Sequence, residues 1–132
     1  MKPILLDTNT VSHLLKGHPA VAQHVQAAPM AALCISAVTE GELRFGLAKR
    51  PEAKRLHLAV AEFLRRVDVL PWSSDVAQTY GPLRADLSRH GKTLTPLDLL
   101  IAAHALSVGA TLVTNDQAFR QVNGLQVEDW TA

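Results

Sequence analysis

Four acidic residues, far apart along this chain, have the type and setting expected of ligands in a divalent-metal site. Asp7 follows the apolar run ILL and Asp116 ends the run LVTND, whereas Glu42 lies in TEGE and Asp98 lies within PLDLLIAAHAL. Carboxylates gathered at one place repel one another and raise one another's pKa. A divalent cation removes that repulsion, and oxygen ligands with retained waters suit Mg²⁺ or Mn²⁺. Such a site supports hydrolysis of a phosphodiester by a metal-activated water.

Each of these acids also has an interpretation that involves no chemistry. Asp7 and Asp116 are good N-caps for the helices expected after them. Thr39 to Glu42 matches a Ser/Thr-x-x-Glu capping box, in which the glutamate only bonds the first turn. The helix dipole favours Asp98 at a helix N-terminus, but a carboxylate among leucines is costly unless it is paired or bound to a cation. Considered one at a time, the patterns leave Asp7 and Asp116 open, favour the cap for Glu42 and favour function for Asp98.

Short apolar strands that alternate with helices must position these acids. Strands are expected at residues 4–6, 33–36, 67–71, 111–116 and 125–130. Helices are expected at residues 10–16, 19–28, 37–49, 52–66, 74–91, 96–109 and, briefly, 117–122. The fifth helix is expected to bend at Gly81 and Pro82 and to end at Gly91. The alternation predicts an α/β fold with a parallel sheet covered by helices on both faces.

The carboxyl ends of parallel strands are where such sheets form active sites. Asp7 and Asp116 lie just past two of the expected strand ends, and Glu42 and Asp98 are expected in the first turns of helices. All four residues can therefore lie at one edge of the sheet.

Composition limits the class of protein. An apolar content of 48% and a charged content of 19% are ordinary for a globular protein, and the length predicts a single domain, residues 1–132. The net charge of +1 excludes a strongly basic protein that coats nucleic acid, but not an enzyme with a local basic surface. Cys34, the single cysteine, is expected to be a buried small hydrophobe in a reducing compartment. No apolar run approaches the roughly 20 residues of a membrane span, so a cytoplasmic protein with no membrane partner is expected.

Four ordered blocks of the sequence resemble the successive motifs of PIN-domain ribonucleases, and more narrowly those of the VapC-type toxins of bacterial toxin–antitoxin pairs. The blocks are LLDTNTVSHLL, ISAVTEGELRFGL, TPLDLLIAAHAL and LVTNDQAF, and the likeness extends from Leu5 to the closing GLQVEDW. The resemblance implies a PIN-like three-layer α/β/α fold with a short central parallel sheet, and Mg²⁺ or Mn²⁺ in an acidic pocket. It implies an endoribonuclease acting on tRNA or another structured RNA, with initiator tRNA as one candidate target.

The resemblance also assigns roles to individual residues. It makes four residues the site acids, namely Asp7, Glu42, Asp98 and Asp116. Among them Asp7 and Asp98 are the foremost direct metal ligands, and Asp116 is a further one. Three polar residues are expected to orient carboxylates or water, namely Asn9, Thr114 and Asn115.

Two positions depart from the pattern of the family. Some relatives carry TNN where this chain has TND, so the acid at Asp116 is less uniform than the others. Many relatives have a polar residue where Leu97 precedes Asp98. This leucine is expected to alter packing near the metal without altering the chemistry.

The partners implied by the resemblance are proteins and nucleic acids. A cognate VapB-type antitoxin is expected to block the site and to form with this chain a complex that binds operator DNA. A homodimer is also expected. The remaining expected partner is the RNA substrate.

A run of basic residues offers a candidate surface for RNA phosphates. Only Glu52 and Glu62 oppose seven basic residues, namely Arg44, Lys49, Arg50, Lys54, Arg55, Arg65 and Arg66. Phosphate contacts position a nucleic acid without reading its sequence, but a solvated helix face is the favoured interpretation for most of these side chains. A smaller candidate group comprises Arg84, Arg89 and Lys92. With 5% aromatic residues, a broad base-stacking platform is not expected.

Two rival functions remain open. An aspartyl-nucleophile phosphatase would attack with Asp7, but Asn9 stands where that chemistry needs a proton-donating acid. A PIN scaffold without turnover would act only through its antitoxin and operator DNA. The six histidines form no ligand pattern, and His104 is expected to be a core residue; Trp72 and Trp130 are expected to serve packing.

Overall fold

The computed structural model describes all residues, 1–132, as five strands and six α-helices, with two helices after each of the first three strands. The strands are β1 (Ile4–Leu6), β2 (Leu33–Ser36), β3 (Asp68–Leu70), β4 (Thr111–Val113) and β5 (Gln126–Glu128). The helices are α1 (Thr8–Leu15), α2 (Pro19–Ala27), α3 (Ala37–Lys49), α4 (Lys54–Arg66), α5 (Ser74–Arg89) and α6 (Pro96–Val108), with 3₁₀ turns at Met30–Ala32 and Gln117–Gln121. The predicted α/β class and the predicted order of elements are confirmed.

The sheet has the strand order β3-β2-β1-β4-β5, and every neighbouring pair is parallel. The chain builds outward from β1 through β2 to β3 and then returns to place β4 and β5 on the other side of β1. The order therefore reverses between β1 and β4. Open α/β sheets bind ligands outside the carboxyl ends of the strands at such a reversal.

Successive residues of the central strands face opposite sides of the sheet, because side chains alternate along a strand. Leu5, Cys34 and Leu112 join the core formed with α5 and α6. Their neighbours pack in the second core, with α1, α2, α3 and α4, and these are Leu6, Leu33, Ile35 and Val113. Two cores, one on each face of the sheet, make the three-layer α/β/α arrangement that was expected.

Several element boundaries differ from the prediction for local reasons. Helix α1 begins two residues earlier than expected, because Asp7 caps it. The segment after β4 leaves the strand at Thr114 and forms a 3₁₀ turn instead of an α-helix. Helix α5 continues through Pro82, as expected, and ends at Arg89, two residues before the expected end at Gly91. The bend at Gly81 and Pro82 stays a prediction.

The side chains assigned to packing have that role. His104 is 1% exposed, and its Nδ1 lies 2.8 Å from the Ser36 hydroxyl oxygen. Cys34 is buried and unpaired in any disulfide. The indole N–H of Trp72 donates to the Leu100 carbonyl at 3.0 Å, and Trp130 is 5% exposed. None of the helices combines the length and the apolar character needed to cross a membrane.

Candidate active site

Asp7 lies at the junction of β1 and α1, at the point where the strand order reverses. Its backbone N–H donates to the Val113 carbonyl at 3.1 Å, and its Oδ1 accepts the N–H of Thr10 at 2.8 Å. The carboxylate is therefore an N-cap, which is the role that a purely structural interpretation of the sequence gave it. It is also 4% exposed, and a single capping bond does not remove the cost of burying a charge.

The surroundings of Asp7 disfavour its charged form. Burial raises the pKa of Asp7 above its ordinary value, and the charge of Asp116 raises it further. Hydrogen bonds from Thr114 and Thr10 act in the opposite direction and lower this pKa. A cation bound beside Asp7 would remove the electrostatic cost that these contacts only reduce.

Asp98 lies in the first turn of α6, where Thr95 is the N-cap and accepts the Asp98 N–H at 3.3 Å. Burial is the largest cause that raises the pKa of Asp98, and the charges of Asp116 and Asp7 raise it as well. The expected enclosure among leucines is incomplete. Asp98 is half-buried and the preceding Leu97 is 42% exposed, because only the residues from Leu99 onward turn into the core. The carboxylate thus reaches water and is accessible to a ligand.

Glu42 lies in the second turn of α3, not in the first. The N-cap of this helix is Ser36, whose hydroxyl accepts the N–H of Val38 at 3.1 Å. The predicted capping box of Thr39 and Glu42 is therefore wrong. Thr39 is buried and its hydroxyl accepts from Thr8 at 3.2 Å. Glu42 has neither a side-chain hydrogen bond nor an ion pair in the structure, so its carboxylate is available.

Asp116 caps the 3₁₀ turn Gln117–Gln121, with Oδ1 accepting the N–H of Ala118 at 2.9 Å. Its own N–H donates to the Thr114 hydroxyl at 3.0 Å. Its charge raises the pKa of both Asp7 and Asp98, which places it within electrostatic reach of the two acids. It does not line the pocket that the other three acids share.

The predicted orienting residues occupy three different positions. Thr114 is 1% exposed and lies between Asp7 and Asp116, with a bond to each. Asn9 is exposed and lines the same pocket as Asp7. The side chain of Asn115 lies 3.5 Å from Nε2 of His13, so it contacts an imidazole and not a carboxylate.

A pocket of about 180 Å³ brings three of the four acids together. Its lining comprises Asp7, Thr8, Asn9, Glu42, Thr95, Leu97, Asp98 and Ile101. We call it the acid pocket. Three carboxylates and no basic side chain line it, and this charge is left unbalanced within the pocket.

The donor set fits a divalent cation that keeps part of its water shell. No group of three or more histidine, cysteine or acidic side chains is arranged to hold a metal ion by itself. Mg²⁺ commonly binds through one or two carboxylates and completes its octahedral shell with waters and substrate phosphate. Carboxylates at a partly open pocket match that mode better than a closed protein cage.

The sequence reasoning missed Thr8 and Thr95, which also line the acid pocket. Thr95 before Pro96 is a recognisable helix start, because threonine is a good N-cap and proline is favoured at the first helical position. No local pattern indicates Thr8, whose partner Thr39 is 31 residues away.

Comparison with known proteins gives one consistent family. The family model for the PIN domain matches residues 4–125. A protein of Shigella flexneri, named tRNA(fMet)-specific endonuclease VapC, is 39% identical over 99% of this chain and 100% of its own length. A Salmonella typhimurium protein of the same name is 36% identical over 98% of this chain and 99% of its own length.

Solved structures agree with the sequence relatives. DNA-bound VapBC from Salmonella typhimurium contains a chain that matches with a TM-score of 0.91 and 34% identity, covering 98% of this chain and 99% of that one. VapBC2 from Rickettsia felis, bound to a DNA fragment from its promoter, matches with a TM-score of 0.88 and 30% identity, covering 96% of this chain and 98% of that one.

Proposed function

The chain belongs to the PIN-domain family, and from this premise we propose that it is a divalent-metal-dependent endoribonuclease, the toxin of a VapBC-type toxin–antitoxin pair. The observation that carries the proposal is the acid pocket, in which Asp7, Glu42 and Asp98 meet from three separate segments. The reaction is hydrolysis of phosphodiester bonds in RNA. Residues 1–132 act as a single PIN domain.

Asp7 and Asp98 are the proposed direct ligands of Mg²⁺ or Mn²⁺, and Asp116 is a further ligand directly or through water. The raised pKa of Asp7 and of Asp98, caused mainly by burial, supports this assignment because a bound cation would stabilise the ionised forms. When bound, the metal lowers the pKa of a coordinated water and offsets charge on the phosphate.

Neighbouring residues orient the proposed metal-binding carboxylates. The Thr10 N–H and the Thr114 hydroxyl hold the carboxylate of Asp7, and the Thr95 cap fixes the first turn that carries Asp98. Glu42, which has no partner of its own, is the proposed acceptor of a proton from the attacking water.

The proposed partners follow from the relatives. An antitoxin of the VapB type inhibits the chain, and the complex of the two binds operator DNA, since the similar chains occur in VapBC structures with DNA. We propose a homodimer within this assembly. A tRNA is the proposed substrate class, and initiator tRNA the first to test, because two relatives are named for it.

The test is cleavage of unfractionated tRNA by the purified, antitoxin-free protein with Mg²⁺ or Mn²⁺. Asp98→Asn is expected to reduce the cleavage rate at least about 100-fold, since even groups that only orient metal ligands contribute 10- to 100-fold. Asp75→Asn, at an exposed acid in the first turn of α5, is the matched control and should cleave at the wild-type rate. A chelator should abolish the discrete fragments.

The rival functions give different results in the same assay. A folded wild-type protein that leaves RNA intact with either metal, yet binds an antitoxin and operator DNA, would be a scaffold. A trapped phospho-aspartate at Asp7 would indicate the phosphatase, against which Asn9 stands because an amide cannot donate the required proton.

A further inference from the structure

A second pocket lies directly against the acid pocket. It measures about 500 Å³, and Thr8 and Glu42 line both pockets. We call it the basic groove. Its walls come from α1 and Lys16, from α3, from the connection between α3 and α4, and from α4 itself.

Three cations line the basic groove, namely Lys16, Lys49 and Arg50. All three side chains are exposed, and none of them forms an ion pair in the structure. Glu42 is the single acid of the groove and stands at its border with the acid pocket. The groove therefore carries an excess of positive charge next to an excess of negative charge.

Neighbouring groups contact the Lys49 side chain and the Arg50 backbone. The Lys49 ammonium lies 4.7 Å from the centroid of the exposed Phe45 ring. The Arg50 backbone N–H donates to Leu47, and its carbonyl accepts from Ala53 at 3.1 Å and contacts the His57 ring at 2.9 Å. These backbone bonds hold the segment in place and leave the Arg50 guanidinium free.

The fold separates these cations from the rest of the basic run. Arg44 and Arg65 are paired with Glu40 and Glu62. Lys54 and Arg55 are exposed and line neither the basic groove nor the acid pocket. Lys16, which joins Lys49 and Arg50 in the groove, lies in a distant part of the sequence.

We propose that the basic groove binds backbone phosphates of the RNA next to the phosphodiester that is cut in the acid pocket. This inference rests on the proposed endoribonuclease function and adds the surface that positions its substrate. Lys16, Lys49 and Arg50 are positioning residues in this proposal. They act by phosphate contacts, which fix register without reading base sequence.

A polynucleotide fits the pair of pockets better than an acidic protein segment does. Without a metal ion the carboxylates of the acid pocket repel either polyanion, so the regular spacing of the charges is what favours the polynucleotide. A polynucleotide has phosphates at regular intervals, so one can lie beside a metal ion at the acids while its neighbours contact the cations. Two half-buried apolar side chains of the groove, Leu15 and Leu56, offer a surface for sugar and base.

The test compares two double variants with the same change in charge. Lys49→Gln/Arg50→Gln removes two groove cations, whereas Lys54→Gln/Arg55→Gln removes two cations of the same basic run outside the groove. Binding of a fluorescein-labelled 12-nucleotide single-stranded RNA and of unfractionated tRNA is measured by anisotropy across a salt series, in EDTA so that no cleavage occurs. Steady-state cleavage with Mg²⁺ is measured separately.

The groove variant is expected to raise the Kd for both RNAs roughly tenfold and to reduce the single-strand salt slope by about 1.4, at about 0.7 per phosphate contact. Its KM should rise in parallel while its kcat stays near the wild-type value. The control variant should remain within about twofold of wild type in Kd, since its two exposed cations lie outside the groove. Lys16→Gln should give about half of the slope change.

Two outcomes would overturn the proposal. The first is equal RNA binding by the groove and control variants. The second is loss of binding to a 12-residue oligoglutamate peptide with RNA binding unchanged, which would assign the groove to an acidic protein segment. Failure of the proposed function is distinguishable from both: the wild-type protein would not cleave RNA with Mg²⁺ or Mn²⁺, yet RNA binding in EDTA would still depend on Lys49 and Arg50.

Discussion

Replacing Ser36 with alanine tests the connection between the two helices that carry Glu42 and Asp98. The Ser36 hydroxyl caps α3 through the Val38 N–H at 3.1 Å and lies 2.8 Å from Nδ1 of His104 in α6. Glu42 lies six residues after Ser36, and Asp98 lies six residues before His104. One buried serine thus links the two helices that carry Glu42 and Asp98.

The expected loss of stability has two parts. Loss of the N-cap costs about 1 kcal/mol, and an imidazole nitrogen left buried without a partner costs about 1–3 kcal/mol. Ser36 is 0% exposed and His104 is 1% exposed, so water cannot take the place of the lost hydroxyl without rearrangement. Ser36→Ala should therefore lower the free energy of unfolding by about 2–4 kcal/mol. A protein of this size should lose roughly 6–20 °C in Tm.

The assay is urea unfolding followed by circular dichroism, with a double-mutant cycle. Ser36→Ala/His104→Leu removes both partners, so it should be less destabilised than the sum of the single variants by about 1–3 kcal/mol. Cleavage by Ser36→Ala should fall by about tenfold or more below its Tm, because misplacement of catalytic groups by even 1 Å lowers rates strongly.

The pH dependence of unfolding gives an independent check. Burial lowers the pKa of His104 below its ordinary value of 6.5. As pH falls below 6.5, the unfolded chain therefore binds a proton that the folded protein does not, and stability is lost until the folded pKa is passed. His104→Leu should remove this component. Additive free energies in the cycle, within about 0.5 kcal/mol, would refute the role of the Ser36–His104 bond.

Three further predictions concern single side chains. Glu42→Gln should reduce RNA cleavage at least about tenfold. Glu40→Gln, two residues away and therefore about 200° around the same helix, should stay within about twofold, because Glu40 forms an exposed ion pair with an arginine and such pairs contribute little. Equal losses would contradict the placement of Glu42 in the site. Cys34, whose pKa burial raises to about 11, should react with a thiol reagent at neutral pH only as fast as the protein unfolds, and rapid labelling of the folded protein would disprove its burial. The pKa values of Asp7 and Asp98 are raised, so Mn²⁺ affinity measured by calorimetry should already fall at pH values above the ordinary carboxyl range as the pH is lowered. The metal-free protein should show the opposite trend, because protonation of these two groups makes it more stable. A pH-independent affinity would show that they are not ligands.

Local sequence patterns predict most of the fold. The second strand and the third helix have the predicted bounds, Leu33–Ser36 and Ala37–Lys49, because apolar runs and their polar borders are properties of neighbouring residues. The failures are also local. TEGE resembles a capping box, but Ser36 satisfies the start of α3 first, so the pattern within the helix has no cap to form.

The sequence shows which acids are present more readily than it shows what each acid does. A capping bond and a place in a pocket are compatible, and Asp7 has both. Local patterns treat these as alternatives, since they carry no information about the other segments that approach the same carboxylate. The positions of Asp7, Glu42, Asp98 and Asp116 beside strand ends and helix starts made them candidates, and the resemblance of four ordered blocks supported the same four residues. Their chemical roles stay predictions.

The sequence by itself determined the α/β class, the alternation of elements and the set of acids beside the strands, because these depend on hydrophobic periodicity and short-range capping. Only the tertiary structure decided which residues meet. The strand order β3-β2-β1-β4-β5 places the reversal between β1 and β4, which brings Asp7, Glu42 and Asp98 into one pocket and leaves Asp116 at its margin. The same packing joins Lys16 to Lys49 and Arg50 in the basic groove. Such contacts join segments far apart in the chain, and their free energy comes from packing the whole sheet and its helices, which no local window of sequence contains.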